Sequence, residues 1–239
     1  MGLTKNNQKV NGVAPSERAK PQEEPVKVED LHEPEMVEYT LQTSWDDGGF
    51  LDLRIASMLK KYNLPGVFYI IVDKVGTQGY MTWDEVKSLD RAGFKIGAHT
   101  MSHPSDLKAL HDEQLHYEIQ NSKDMIEAVL GHQIYSFCYP RGRFDDRVID
   151  FVAKAGFVEA RTTGTPGIST FDSPFKKPGT IHIFQRPEYE GKPIAQFAKE
   201  TVDRVKKEGG YFNIWGHSKE IEENNLWGVL DEVLAYVRL

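Results

Sequence analysis

Two adjacent carboxylates, Asp46 and Asp47, stand directly before Gly48-Gly49, and two imidazoles, His99 and His103, stand four residues apart. Neighbouring residues on a strand point to opposite faces, so both carboxylates can serve one site only if the chain turns there, as the two glycines permit. Carboxylates forced together repel unless a cation or a shared proton separates their roles. Alone, Asp-Asp-Gly is ordinarily a solvated turn, and a His pair at this spacing is a weak signal. Together they suggest more. Two imidazoles four apart face one point on a helical turn or in a tight loop. With one carboxylate they form a three-ligand set that leaves positions open for water and substrate, as a catalytic metal requires. Zinc suits that trio, and so do cobalt, nickel and iron.

These groups can meet only if the intervening elements bring them to one place. A strand near 36–45 leads into the Asp pair, and a helical pattern near 51–62 follows with Leu51, Ile55 and Leu59 on one face. The apolar run 67–72 reads as a strand buried on both sides. Thr82 to Glu85 forms a capping box, with Met81 and Val86 placed as its staple. A strand over 94–98 ends at His99, and a long helix is predicted over 112–130, with Leu115, Ile119, Ile126 and Val129-Leu130 along one stripe. A strand over 134–138 runs into Tyr139-Pro140-Arg141-Gly142. There follow a helix over 145–155, a strand over 157–162 and a loop rich in Gly, Thr and Pro over 163–180. A strand over 180–185, a helix over 193–207, a strand over 211–216 that ends before His217, and a last helix from about 226 complete the pattern. Seven strands alternating with helices predict a parallel sheet. The expectation is a barrel with outer helices, an open doubly wound sheet being the alternative. In either, strand C-termini share one face, and Asp46, Asp47, His99, His103, the Pro140-Arg141-Gly142 turn and His217 all sit at such termini.

Composition narrows the function. The 239 residues are 39% hydrophobic and 11% aromatic, which suits a globular core, and the net charge of -7 argues against a nucleic-acid partner. Cys138 is the single cysteine, which rules out an internal disulfide and a cysteine-rich zinc site. No apolar run is long enough for a membrane span, and no signal-peptide core is visible. The expectation is a cytoplasmic protein, with export by another route left open. Residues 1–35, rich in Pro and charge, read as a disordered or extended tail ahead of a catalytic domain over 36–239. His32, His111, His116, His132 and His182 read as surface or packing residues, and Trp45 and Trp215 as core.

Asp46-Asp47-Gly48, His99-x-x-x-His103, Tyr139-Pro140-Arg141-Gly142 and Ile214-Trp215-Gly216-His217 resemble, in order and spacing, the polysaccharide deacetylases of the NodB-homology group, carbohydrate esterase family 4. The resemblance runs from Leu41 to His217. It implies an α/β fold, a distorted (β/α)7 TIM-like barrel, with one divalent metal, zinc first and cobalt, nickel or iron as alternatives. It implies Asp46 as catalytic base, Asp47, His99 and His103 as metal ligands, and His217 as general acid. The turn Tyr139-Pro140-Arg141 is implied as the oxyanion and substrate element, through the backbone N–H of Arg141. The expected activity is removal of N-acetyl groups from a sugar in a glycan or glycolipid. Hydrolysis of a small amide or cyclic ureide is the first alternative, and an inactive glycan-binding module the second. The chain also departs from the family pattern. Cys138 stands where an Arg commonly orients the base, Arg141 replaces the usual Tyr, Gly216 replaces an apolar residue, and no Asp-Trp element is visible between Arg161 and Arg186. Arg161, at a strand end, is the candidate to supply the missing guanidinium, its alternative being a surface or structural ion pair.

Overall fold

The computed structural model describes residues 38–164 and 173–238. The tail expected over 1–35 lies outside the described residues, as does the middle of the loop over 163–180. The chain runs β1 (Tyr39–Trp45), α1 (Asp52–Tyr62), β2 (Val67–Ile70), α2 (Trp83–Arg91), β3 (Lys95–Ala98), α3 (Asp112–His116) and α4 (Ser122–Leu130). It continues through β4 (Ser136–Cys138), α5 (Asp146–Lys154), β5 (Glu159–Arg161), β6 (Ile181–His182), α6 (Ile194–Glu208), β7 (Gly210–Gly216), α7 (Ser218–Glu223) and α8 (Trp227–Arg238).

Every strand pairing is parallel, and the order is β5-β4-β3-β2-β1-β7-β6. Sequence neighbours pair throughout except β5 and β6, the two edges, and β7 pairs with β1, which curls the sheet toward a ring in place of the reversal at the centre of a doubly wound sheet. The two edges, β5 and β6, are spanned by residues 177–180. The Lys177 N–H donates to the Ala160 carbonyl, the Gly179 N–H to Gly164 and the Thr180 N–H to Asn213, so the chain leaves β5 and reaches β7 within four residues. This crossing is the distortion of the (β/α)7 barrel. It also shortens the strand expected over 180–185 to Ile181–His182.

The apolar pattern explains the layers. All four residues of β2 are buried, as expected for a strand covered on both faces. Ile55 and Leu59 of α1, Val86 and Leu89 of α2, and Val148 and Val152 of α5 pack onto the ring in one core. The capping box at Thr82 and Glu85 forms, with Met81 and Val86 buried beside it. The helix expected over 112–130 is present, but a π-turn over Tyr117–Asn121 interrupts it. Such turns re-aim side chains inside a helix. Here it buries Glu118 against the loop after β3. The short helix α7 is an addition that hydrophobic periodicity did not mark.

Gly97 on β3 shows how tightly the ring is packed. A Cβ there would lie 2.5 Å from the Tyr69 ring and 2.8 Å from the Ser136 carbonyl. Tyr69 in turn bonds Ser136 Oγ at 2.6 Å. Gly97→Ala is therefore expected to cost about 1–3 kcal/mol of stability by overpacking, read as a lower urea midpoint with an unchanged slope.

Candidate active site

The C-terminal ends of β1, β3, β4, β5 and β7 carry the groups singled out in the sequence. Four of the described non-glycine residues with left-handed backbone are Asp47 (φ 78°), Thr100 (φ 68°), His103 (φ 60°) and Arg141 (φ 57°). All four lie in the loops that follow β1, β3 and β4. Backbone of this kind costs free energy and persists where surrounding structure enforces it, often at functional sites. After β1, Asp47 and Gly48 both turn left-handed, which swings the Asp47 carboxylate off the path of the strand. After β3, the Ser102 N–H donates to Glu118 Oε2 at 2.9 Å and the His103 N–H to Thr100 Oγ1 at 2.9 Å. The π-turn thus anchors the loop that holds both imidazoles.

Asp47 Oδ1 lies 3.5 Å from His99 Nε2 and 3.9 Å from His103 Nε2. Two ligand atoms about 2.0 Å from a tetrahedral zinc stand about 3.3 Å apart, so the three atoms are spread for an ion rather than closed on one another. Asp47 Oδ1 is buried and has no hydrogen-bond partner among the described residues. The ring of His99 is 2% exposed. Its Nδ1–H donates to the Cys138 carbonyl at 2.8 Å, which turns the lone pair of Nε2 toward Asp47. Burial is the main influence that pulls the His99 pKa down to about 4, despite Asp46 and Asp47. The ring is therefore neutral at physiological pH, as a ligand must be. The donor set fits a divalent ion.

Asp46 is only 3% exposed, and its environment is different. Arg161 Nη2 donates to Oδ1. Burial would raise the Asp46 pKa, but Arg161, His99 and His217 together bring it down to about 2. The carboxylate is thus fixed as an anion. Arg161 is itself buried, its guanidinium 4.7 Å from the Trp215 ring and 5.5 Å from that of Tyr69. It is therefore an interior partner of Asp46, not a surface charge. Cys138 Sγ accepts from Arg161 Nη2 at 3.0 Å and lies 3.8 Å from Asp46 Oδ1. Burial holds this thiol well above its usual pKa, hence neutral.

His217, just past β7, presents Nε2 to Asp46 Oδ2 at 3.8 Å. Its Nδ1 is 2.6 Å from Glu220 Oε2. Burial alone would lower its pKa, but the hydrogen bond to Glu220 and the charges of Asp46, Asp47 and Glu220 outweigh that and raise it to about 9. The sequence-predicted residues therefore meet, with one reassignment. Tyr139 is fully buried, stacked on Phe144 at 4.5 Å and edge-on to Phe137, so its side chain belongs to the core. Pro140 is buried too, which leaves the exposed Arg141 as the part of this turn able to face a substrate.

Three neighbours were not singled out in the sequence. Glu220 stands three residues after His217, a spacing that could have marked it. His182, set aside there as surface or packing, does stack on Trp215 at 3.9 Å but also reaches Glu220 Oε2 at 3.0 Å. Asp52 is fully buried at the start of α1; burial raises its pKa well above normal, only partly opposed by the Ser218 hydroxyl. No sequence signal distinguished it from an ordinary acidic residue in a first helical turn.

With this geometry established, comparisons place the chain among known proteins. Residues 35–160 match the family model described as polysaccharide deacetylase. YxkH of Bacillus subtilis (strain 168) is 27% identical over 115 residues, 48% of this chain and 40% of that protein. A Mycobacterium smegmatis structure named for the same family covers 87% of this chain and 86% of its own, with a TM-score of 0.66 at 15% identity. The Streptococcus pyogenes deacetylase PplD, solved with acetate, gives a TM-score of 0.54 at 22% identity over 56% of this chain and 61% of that one. BA3943 of Bacillus anthracis, described as a pseudoenzyme of carbohydrate esterase family 4, gives 0.53 at 19% identity over 85% and 66%. This chain thus spans well under two thirds of the length of YxkH. Among the described residues no helix is long and apolar enough to cross a membrane.

Proposed function

Because the chain belongs to the polysaccharide deacetylase family, we propose that it is a metal-dependent hydrolase that removes N-acetyl groups from an acetylated sugar in a glycan or glycolipid. The observation that carries this reading is the free face of Asp46. Its Oδ1 is held by Arg161, and its Oδ2 looks across 3.8 Å to His217 Nε2, beside the set Asp47, His99 and His103. A structural metal site has no use for that pair.

A divalent ion held by Asp47, His99 and His103 would polarise the acyl carbonyl and acidify water at neutral pH. The chain's own residues do the rest. Asp46 Oδ2, ionised by its pairing with Arg161, receives the proton of the attacking water. The backbone N–H at Arg141 donates to the oxyanion as charge develops; that role needs a donor and no particular side chain, so the replacement of Tyr by Arg is tolerated. His217, protonated at neutral pH, gives its Nε2 proton to the departing amine. Asp46 Oδ2 and His217 Nε2 stand side by side, 3.8 Å apart, so the base and the acid serve one substrate held at the neighbouring ion site.

Fold similarity does not separate catalyst from inert relative, since BA3943 shares the fold and is described as a pseudoenzyme. Cys138, in the place of a family Arg, is buried against Arg161 and Asp46, and the small-amide reading rests on that departure from the family pattern. One experiment distinguishes the three readings: metal analysis of the purified protein, then acetate release from chitooligosaccharides and peptidoglycan fragments beside a panel of small amides and cyclic ureides. Acetate from the sugars supports the proposal. Turnover of small amides alone transfers the site to the other substrate class. Glycan binding with no acetate under zinc, cobalt, nickel or iron marks an inactive module. Asp47→Ala is expected to lose bound metal and activity together.

A further inference from the structure

His182, His217 and Glu220 lie close enough together to be mistaken for a second metal site. Their separations say otherwise. Glu220 Oε2 is 2.6 Å from His217 Nδ1 and 3.0 Å from His182 Nε2. Both are hydrogen-bond distances, shorter than the about 3.3 Å between ligands on a tetrahedral zinc. One carboxylate oxygen therefore accepts from two imidazoles. We propose that Glu220 is the positioning residue of His217, holding its Nδ1–H so that Nε2 alone carries the mobile proton toward Asp46 and the cleft, with His182 fixing Glu220 from behind.

The two rings have different duties. His182 is buried and stacked flat on Trp215, with an interplanar angle of 6°. Burial lowers its pKa, so it donates Nε2–H to Glu220 as a neutral ring. Its Nδ1 is buried without a hydrogen-bond partner among the described residues, in keeping with an unprotonated nitrogen. It does not compete with His217 for the proton. His217 is protonated, giving Nδ1–H to Glu220 while Nε2–H faces Asp46 Oδ2. When Nε2 releases its proton, the ring becomes neutral with Nδ1–H still on Glu220, so orientation survives the transfer. The ionisable groups around His217 are Asp46, Asp47 and Asp52 on the β1 side, His182 on β6 and Glu220 on α7, with Arg186 acting on His182. Glu220 is the group hydrogen-bonded to Nδ1. It comes from α7, the helix after β7, close in sequence to the acid it serves.

This inference rests on His217 as the general acid, and its test separates the two. Histidine titrations of the full-length protein by NMR need no substrate. In the wild type, His217 is expected to titrate above an ordinary histidine, with a protected Nδ1–H. In Glu220→Gln its pKa is expected to fall by about 1–2 units, and Glu220→Asp should recover part of the shift. The alkaline limb of kcat/KM should move to lower pH by the same amount, with KM little changed. A folded Glu220→Gln whose His217 titrates as in the wild type overturns the positioning role, whatever the activity. A full NMR shift with no acetate from any substrate upholds it and overturns the deacetylase reading instead.

Discussion

Asp46→Asn is expected to keep its metal and lose turnover by about 10²–10⁴-fold, the range for removal of a general base. The amide can still accept a hydrogen bond from Arg161, and the set Asp47, His99 and His103 is untouched. What disappears is the negative charge that takes a proton from water. The substitution also leaves a guanidinium buried without its counter-charge, so stability should fall by about 3–5 kcal/mol. Activity must therefore be assayed well below the thermal transition, on protein whose metal content matches wild type. Normal acetate release under those conditions would remove Asp46 from the role of base.

Arg161→Met is expected to have the second largest effect, and its signature is a pH dependence. In the wild type, Asp46 has a pKa of about 2, against 3.8 for the free group. A depressed carboxylate pKa contributes stability that is present above 3.8 and is lost as pH falls toward 2. Without Arg161, burial is the dominant influence left on Asp46 and its pKa rises. The folded state then holds its proton more tightly than the unfolded state, and this contribution reverses: stability declines as pH rises through the carboxylate range. At neutral pH the loss should be about 3–5 kcal/mol, the cost of a buried charge without its partner. Urea denaturation at several pH values reads both the size and the sign. Adding Cys138→Arg to Arg161→Met supplies a guanidinium from β4, where Sγ already lies 3.8 Å from Asp46 Oδ1, and should recover part of the stability and turnover. A pH profile unchanged by Arg161→Met would contradict the pairing.

Strand ends were legible in the sequence because alternation, capping and turn chemistry are local. Asp46 and Asp47 before two glycines, and His99 at the end of a short apolar strand, could be placed on one face without knowing any contact. Residues that reach the site from inside the ring were not legible that way. Arg161 was a candidate only by position, since a charged residue at a strand end is ordinarily solvated. Its burial depends on Tyr69 and Trp215 packing beside it, two long-range contacts. His182 was set aside because nothing local ties it to Glu220; the tie depends on the crossing of residues 177–180 from β5 to β7. The π-turn escaped notice because Leu115, Ile119 and Ile126 still fall on a helical stripe. Tyr139 was assigned to the substrate element with its turn, but a tyrosine at a strand end can face either way, and here Phe137 and Phe144 draw it into the core.

The central claim is that Asp47, His99 and His103 together hold one divalent ion beside the Arg161-paired carboxylate of Asp46. The most direct measurement is an anomalous-scattering map at the zinc edge from crystals of the full-length protein soaked in zinc. The account requires one strong peak about 2.0–2.2 Å from an Asp47 oxygen and from Nε2 of both His99 and His103, absent in Asp47→Ala. A peak held instead by His182, His217 and Glu220, or no peak near Asp47 at saturating zinc, would contradict it.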